Sequence, residues 1–232
     1  MRGTGDRRQE TGDRRQETGD RRQERRAKNL NKRVALRFFK PDVWATRLRF
    51  MQKIESVSEM RSVAAQFKQA GRSVALVPTS GALHAGHAAL IALAENRADV
   101  VVVCVFVNPL AFGPSENLSR HPRTAEADVA FCQDLQVDVL FMPSADEMFP
   151  RGFSTFVTEE VVSKPLCGIS RPTYFRGVTT GLAKLLNIVR PDVVVMGQRD
   201  AQQAAVVRKM IDDLCFGAQK LVSQWRRFYL KK

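Results

Sequence analysis

Residues 74–87 read VALVPTSGALHAGH, an apolar run followed at once by two glycines and two histidines three residues apart. The run at residues 74–77 is short and wholly apolar, which is typical of a strand buried on both faces of a parallel sheet. A helical pattern begins near Ala85, so the residues between form a loop that leaves a strand and enters a helix. The free N–H groups and the positive dipole end of a helix start attract anions. The segment therefore predicts an anion site.

Short β-rich runs and helical patterns alternate through the middle of the chain. The β-rich runs lie at residues 74–77, 100–107, 137–142 and 193–196, and the helical patterns lie at residues 56–70, 85–96, 124–135, 177–189 and 200–214. This alternation favours an α/β fold with a doubly wound parallel sheet and flanking helices, and it places a helix before the first strand. Such sheets bind ligands at the carboxyl ends of their strands, so the loops there are the candidate sites.

The two histidines of the first loop, His84 and His87, lie on one face of the predicted helix start. Their N–H groups can donate hydrogen bonds to phosphate oxygens and stabilise charge that develops there. Gly81 and Gly86 let backbone and ligand approach without an intervening Cβ. Two structural histidines at a buried helix start are the alternative. An H-x-G-H motif directly after a strand favours nucleotide phosphate binding.

Three further loops are candidates for the walls of the same pocket. The loop after the last predicted strand contains Gly197, Arg199 and Asp200, which offer a turn, a cation and a helix cap. The others are residues 108–114, with Asn-Pro and Phe-Gly-Pro, and residues 171–177, with Arg-Pro and Phe-Arg-Gly. Each of these sequences is ordinary for a loop. Each therefore supports a shared binding pocket only if it lies beside the H-x-G-H loop.

The formal charge of +13 is concentrated at the two ends of the chain. Residues 1–50 contain 16 Lys/Arg and 7 Asp/Glu, residues 218–232 contain 5 and none, and residues 51–217 contain 16 and 17. The nearly neutral middle does not indicate a polyanion-binding domain, so we expect no nucleic-acid partner. No apolar stretch reaches the roughly 18 residues of a membrane span, and the N-terminus lacks the apolar core of a secretory signal. These features predict a cytoplasmic protein without a membrane partner.

The four cysteines, Cys104, Cys132, Cys167 and Cys215, are widely spaced and have no histidine at ligand spacing. This pattern favours buried, reduced thiols over disulfides or a zinc site. We expect no metal ligands among the site residues.

The first 50 residues contain TGDRRQE three times, at residues 4–10, 11–17 and 18–24. A seven-residue period without an apolar residue cannot form a coiled coil, so the tail is predicted to be disordered. The unit ACAGGAG repeated in DNA encodes the same residues, which suggests a translated DNA repeat with Met51 as the natural initiator. Coding DNA without this period would contradict the hypothesis. A transit peptide or a nucleic-acid arm is the alternative for the Arg-rich residues 25–50.

Six segments carry a resemblance to a known family, and their order and spacing agree with it. They read VPTSGALHAGH, FVNPLAFGP, HPRTAEAD, SRPTYFRGV, LLNIVRPD and GQRDAQQ. Together they resemble the pantothenate synthetases, or pantoate–β-alanine ligases, of the H-x-G-H nucleotidylyltransferase superfamily. The resemblance covers about residues 51–217 and supports Met51 as the start.

This resemblance implies a Rossmann-like domain that binds ATP and pantoate at residues 51–217. It implies that ATP activates the pantoate carboxylate as an acyl adenylate, with release of pyrophosphate. β-Alanine then attacks the adenylate to give pantothenate and AMP. Mg²⁺ would accompany the ATP, and the family's dimer makes a homodimer the candidate assembly.

The resemblance also implies roles for individual residues. His87 takes the place of the family's catalytic histidine, and His84 would contact ATP phosphates beside it. Gln203 and Ala111 stand at pantoate positions, and Arg171 lies near the ligands. The implied ATP site comprises Ser80, Gly81, Ala82, Leu83, His84, Ala85, Gly86, His87, Gly197, Gln198, Arg199 and Asp200.

Several positions depart from the family's pattern. Ser80 stands where Met is usual, Ala85 where an acidic residue is usual, and His121 where Tyr is usual. Ala111 replaces a Gln that bridges pantoate and β-alanine, so the hydrogen bonds of that amide are lost. Residues 198–199, Gln-Arg, replace Glu-Lys, and a planar guanidinium differs from a compact ammonium at a phosphate.

Beyond Leu214 the family continues into another strand, a phosphate-binding S-S-R-N loop and a C-terminal lid domain. Residues 218–232 read AQKLVSQWRRFYLKK instead. We therefore expect a basic tail outside the family, no further strand, no lid domain, and weak or absent ligase activity. The alternative function is a non-catalytic truncated remnant that at most binds nucleotide or pantoate. An adenylyltransferase with another acceptor is a third interpretation, which the six matching segments disfavour.

Overall fold

The computed structural model describes residues 50–113, 116, 124–197, 201–217 and 220–224. The predicted disordered tail before residue 50 and the predicted site positions His121, Gln198, Arg199 and Asp200 lie outside the described residues. Their predicted properties therefore stay predictions.

Within the described residues, six parallel strands form one sheet in the order β1-β4-β3-β2-β5-β6. The strands are β1 (Gln52–Ile54), β2 (Val74–Thr79), β3 (Val100–Val105), β4 (Val139–Phe141), β5 (Val193–Gly197) and β6 (Lys220–Gln224). The four runs predicted from the sequence correspond to β2 through β5. The predicted α/β fold with a parallel sheet is confirmed.

The two edge strands correct the sequence-based expectations. β1 precedes the first helix, so the expectation of a helix before the first strand is wrong. It has three residues, of which only Ile54 is buried, and therefore no apolar run to reveal it. β6 pairs with β5 along residues 220–224, so the expectation of no strand after Leu214 is also wrong. An edge strand is paired on one side only and needs less apolar sequence than a central one.

Helices connect the strands and cover both faces of the sheet. The helices are α1 (Val57–Gln69), α2 (Ala85–Glu95), α3 (Ala125–Asp134), α4 (Ala145–Met148), α5 (Cys167–Ser170), α6 (Tyr174–Val189) and α7 (Ala201–Asp213). The five longer ones confirm the helical patterns. α6 begins at Tyr174 rather than at residue 177, and a 3-10 turn, Pro109–Ala111, follows β3.

Alternate residues of the central strands enter two separate apolar clusters. Leu76 of β2 packs with residues of α1, α6 and α7 on one face. Its neighbour Val77 packs with residues of α2 and α3 on the other. Successive side chains of a strand point to opposite faces, so a sheet covered on both faces requires apolar residues at every position. This is why the strands appear in the sequence as continuous apolar runs.

The strand order reverses between β2 and β5. From β2 the chain proceeds to β3 and β4 on one side, and later to β5 and β6 on the other. Loops that leave neighbouring strands in opposite directions open a crevice at the carboxyl edge of the sheet. The H-x-G-H loop leaves β2 and Gly197 ends β5, so this loop and Gly197 border the crevice.

The loop after β3 is attached to α6 by close backbone contact. A Cβ on Gly177 would lie 2.0 Å from the carbonyl oxygen of Leu110, so only glycine allows this approach. Asn108 donates from Nδ2 to the Gly177 carbonyl oxygen at 2.8 Å, and its Oδ1 accepts from the Leu110 N–H at 3.0 Å. The turn that carries Ala111 is thereby held beside α6.

Candidate active site

The H-x-G-H turn begins α2 and caps it with its own histidines. His84 is the N-cap residue, and its Nδ1 accepts a hydrogen bond from the Gly86 N–H at 3.0 Å. The Nδ1 of His87 accepts from the His84 N–H at 3.2 Å. The two ring centroids are 4.2 Å apart. Backbone N–H groups that a helix start leaves unsatisfied are thus bonded to imidazole nitrogens instead of the usual hydroxyl or carboxylate oxygens.

These bonds determine which nitrogen of each imidazole can donate. An Nδ1 that accepts a hydrogen bond carries no proton, so the proton of the neutral ring is on Nε2. Burial, and next the neighbouring His84, lower the pKa of His87 to about 4, against a smaller opposing effect of Asp128. His87 is therefore neutral near pH 7 and has an Nε2–H group as its donor.

The ring of His84 leaves no space for a side chain at position 86. A Cβ on Gly86 would lie 2.7 Å from His84 Cε1 and 3.0 Å from Nδ1. The ring occupies this space in order to reach the Gly86 N–H. Glycine is therefore required by the capping contact itself, independently of any bound ligand.

A buried aspartate on α3 holds the middle of the turn. Asp128 is 3% exposed, and its oxygens accept from the Ala82 N–H at 3.1 Å and the Leu83 N–H at 2.7 Å. The Thr124 hydroxyl donates to the same carboxylate at 2.9 Å. Gly81 and Ala82 have φ angles of +88° and +52°. A left-handed alanine costs about 1–2 kcal/mol, which hydrogen bonds to a buried carboxylate can offset.

Asp128 and Thr124 are not among the site residues predicted from the sequence, although both lie in the matching segment HPRTAEAD. The available signal was a charged residue on the apolar face of a helix. Asp128 shares the buried face of α3 with Phe131 and Cys132, three and four residues further on. A carboxylate at such a position needs hydrogen-bond donors from elsewhere in the fold.

Arg171 joins the loop after β3 to the segment before α6. Its Nη2 donates to the Ala111 carbonyl oxygen at 3.0 Å and to Glu116 Oε2 at 2.8 Å, and its Nε lies 2.7 Å from Glu116 Oε1. Burial lowers the pKa of this guanidinium, but hydrogen bonding and charge from Glu116 and Tyr174 outweigh burial and raise it. The charge of Arg171 is therefore balanced within the protein.

The end of β5 and the first turn of α7 form the opposite wall. A Cβ on Gly197 would meet Leu90 of α2 at 3.8 Å, so the end of β5 lies against that helix. Gln203 lies in the first turn of α7, and its Oε1 accepts from the Tyr174 hydroxyl at 2.9 Å. Gln203 is thus connected to the segment that contains Arg171.

The structure brings the described site residues to one edge of the sheet. The turn after β2 contains residues 80–87, Ala111 and Arg171 are bonded together beside it, and Gly197 and Gln203 flank the start of α7. The ligand contacts predicted for them stay predictions.

The structure also bears on metals, membranes and thiols. Among the described residues, no three His, Cys, Asp or Glu side chains are grouped so that they could hold a metal ion. Nor does any helix in this part of the chain have the length and apolarity to cross a membrane.

All four cysteines are free; Cys104 and Cys132 are buried, whereas Cys167 and Cys215 are exposed, so the expectation of burial is wrong for two of them.

A doubly wound parallel sheet with an H-x-G-H turn at its switch point defines a Rossmann-like α/β protein. The sequence model of the family described as pantoate-beta-alanine ligase matches residues 52–227, and the chain belongs to this family. The match includes β6, so the boundary predicted at residue 217 falls inside the matched region.

Individual relatives agree with this assignment. A pantothenate synthetase of Geobacter sulfurreducens is 48% identical over 164 residues, which are 71% of this chain and 58% of the relative. The chain therefore spans less than two thirds of that relative's length.

Solved structures resemble the fold closely. The crystal structure of pantothenate synthetase from Thermus thermophilus has a TM-score of 0.70 and 40% identity, over 76% of this chain and 63% of that one. Pantoate-beta-alanine ligase from Francisella tularensis, complexed with beta-gamma ATP and beta-alanine, has a TM-score of 0.71 and 31% identity, over 77% and 69%.

Asp128→Asn is expected to lower the free energy of unfolding by about 2 kcal/mol, because an amide nitrogen would face backbone donors and a charged acceptor would be lost. Asp134→Asn is the matched control, since Asp134 is exposed at the end of the same helix. Its effect should stay within about 0.5 kcal/mol. Denaturant titrations measure both, and equal stabilities would contradict the role of Asp128.

The pKa of His87 predicts a pH dependence of stability. Because its pKa falls from 6.5 to about 4 on folding, the unfolded chain binds more protons at this residue between these pH values. The contribution of His87 to stability is therefore complete above pH 6.5 and is lost as the pH falls toward about 4. Nitrogen NMR should show an Nε2–H imidazole that titrates near pH 4 and is missing from His87→Gln. Titration near pH 6.5 would show that the ring is not buried as described.

Proposed function

We propose that the chain catalyses the ATP-dependent condensation of pantoate with β-alanine to pantothenate. The observation that carries this proposal is the H-x-G-H turn, in which backbone bonds to Nδ1 leave both Nε2–H groups available at the switch point of the sheet. Family membership supports the choice of substrates.

In the first step, ATP would bind as its Mg²⁺ complex with its phosphates at the start of α2. The helix dipole, the backbone N–H groups and the imidazoles of His84 and His87 supply positive potential and donors there. A carboxylate oxygen of pantoate attacks the α-phosphorus, the bond to the bridging oxygen breaks, and pyrophosphate leaves. The Nε2–H groups stabilise the charge that develops on the phosphate oxygens.

In the second step, the β-alanine amine attacks the carbonyl carbon of pantoyl adenylate. The bond to the phosphate oxygen breaks, AMP leaves, and the amine loses a proton. Gln203 is the residue proposed to hold pantoate during both steps. The resemblance also supports a cytoplasmic homodimer as the assembly in which the reaction occurs.

We propose further that this activity is impaired by the residue at position 111. Ala111 contributes its carbonyl oxygen to Arg171, but its methyl group can neither donate nor accept a hydrogen bond. A substrate group left without its partner in a closed site loses binding energy. The fold around the position is kept while one substrate contact is lost.

The activity is tested by AMP formation with the full chain, ATP, pantoate and β-alanine. AMP is expected only with all three substrates, and pantoate alone should support exchange of labelled pyrophosphate into ATP. His87→Ala should slow this exchange by about 10²- to 10³-fold, because a donor to the developing charge is lost. Exchange that is independent of pantoate, or unchanged in His87→Ala, would contradict the proposal. If the chain shows neither AMP formation nor pyrophosphate exchange but still binds ATP, the result would support the non-catalytic alternative.

Ala111→Gln is expected to lower the KM for pantoate about three- to tenfold, because the amide restores a donor and an acceptor. Ala127→Gln is the matched control, since Ala127 is an exposed alanine of α3 and is not among the predicted site residues. Steady-state AMP formation measures both values. An unchanged KM in Ala111→Gln would show that impairment does not arise at this position.

A further inference from the structure

The amide of Gln203 is held in one orientation by Tyr174. The Tyr174 hydroxyl donates to Gln203 Oε1 at 2.9 Å. A glutamine amide has an acceptor end and a donor end, and its hydrogen-bond partner determines which end remains for a ligand. With its oxygen bonded to the phenol, Gln203 offers its NH₂ group.

Tyr174 is in turn held by Arg171 and Phe175. The guanidinium carbon of Arg171 lies 3.8 Å from the centroid of the Tyr174 ring, which is a close cation–π contact. Phe175 meets the same ring edge-on, with centroids 4.9 Å apart. These two contacts are made by the half-buried ring itself and do not require its hydroxyl group.

The contacts form a continuous series, Glu116–Arg171–Tyr174–Gln203, which we call the side-chain bridge. One end lies in the loop after β3, and the other lies on α7, which follows β5. β2 is the strand between β3 and β5, and it carries the H-x-G-H turn. The bridge therefore connects the loop after β3 with α7, the segments that follow the two strands beside β2.

We propose that Tyr174 is a positioning residue for pantoate, which fixes Gln203 with its NH₂ group toward a carboxylate or hydroxyl oxygen of the substrate. This inference rests on the proposed function, because pantoate is the ligand it names. An amide turned the other way would place an oxygen against the substrate carboxylate, and two acceptors repel each other. Tyr174 thus selects for an acceptor group at this point.

Tyr174→Phe removes the hydroxyl and keeps the ring beside Arg171. The Kd for pantoate, measured by calorimetry on the full chain, is expected to rise about three- to tenfold, because the amide becomes free to turn. The Kd for ATP should stay within about twofold, since no contact proposed for ATP changes. Ser170→Ala is the matched control, because it removes an exposed hydroxyl four residues earlier, and it should leave both constants unchanged.

A double-mutant cycle separates positioning from support of the fold. If Tyr174 acts through Gln203, Tyr174→Phe should have no further effect on the pantoate Kd in a Gln203→Leu background. Gln203→Glu provides a second variant, since it keeps an oxygen for Tyr174 but replaces the donor by an acceptor. Its pantoate Kd should rise more than about tenfold. An unchanged Kd in Tyr174→Phe, or a full effect in the Gln203→Leu background, overturns the proposal.

Calorimetry measures binding without turnover. The proposed ligase activity and the positioning role of Tyr174 can therefore be contradicted independently of each other. A wild-type chain that binds pantoate but forms no AMP overturns the proposed function, and the Kd series still decides the role of Tyr174. A wild-type chain that does not bind pantoate overturns the positioning role. Normal turnover with an unaffected Tyr174→Phe variant overturns the positioning role alone.

Discussion

The buried carboxylate of Asp128 is the interaction on which the arrangement of the site depends. A charge removed from water must be hydrogen-bonded or paired, and most of its donors here are the N–H groups of residues 82–83. The turn presents those groups with Gly81 and Ala82 in left-handed conformations. This conformation of the turn places His84 at the N-cap of α2. The position of α3 therefore determines where the H-x-G-H motif begins its helix.

The frame of the site and its ligand chemistry depend on different atoms. The frame is made by backbone groups and by side chains such as Asp128 and Asn108, which bond to the H-x-G-H turn and to α6. The predicted departures from the family's pattern at Ala85 and Ala111 place methyl groups there, which can neither donate nor accept a hydrogen bond, and Ala111 enters the frame only through its carbonyl oxygen. Substitutions of that kind change what a ligand meets without changing how the loops are held. A closely similar fold is therefore compatible with altered activity.

Most of the fold could be predicted because it depends on local sequence patterns. β2 to β5 are continuous apolar runs, and α2 and α7 follow clear helical patterns, since burial on both faces of a sheet and on one face of a helix leaves a periodic signal. β1 and β6 leave no such signal, because β1 buries only Ile54 and β6 reads KLVSQ, with polar residues at both ends. Their presence depends on the exposed edge that β4 and β5 offer. α6 begins at Tyr174, and Asn108 of the loop after β3 bonds to its first turn at Gly177, a contact between distant parts of the chain.

Residues that are close together in the chain specify the α/β class, the strand–turn–helix order around H-x-G-H and the family resemblance, so the sequence was sufficient to predict them. Three features required the folded chain: that Nε2 of each histidine is the donor, that Asp128 holds the turn, and that the side-chain bridge orients Gln203. Asp128 is 45 residues from Leu83, and Tyr174 is 29 residues from Gln203. Pairs of residues so far apart in the chain are brought together by the packing of helices and loops around the sheet. No local sequence pattern indicates which residues will meet.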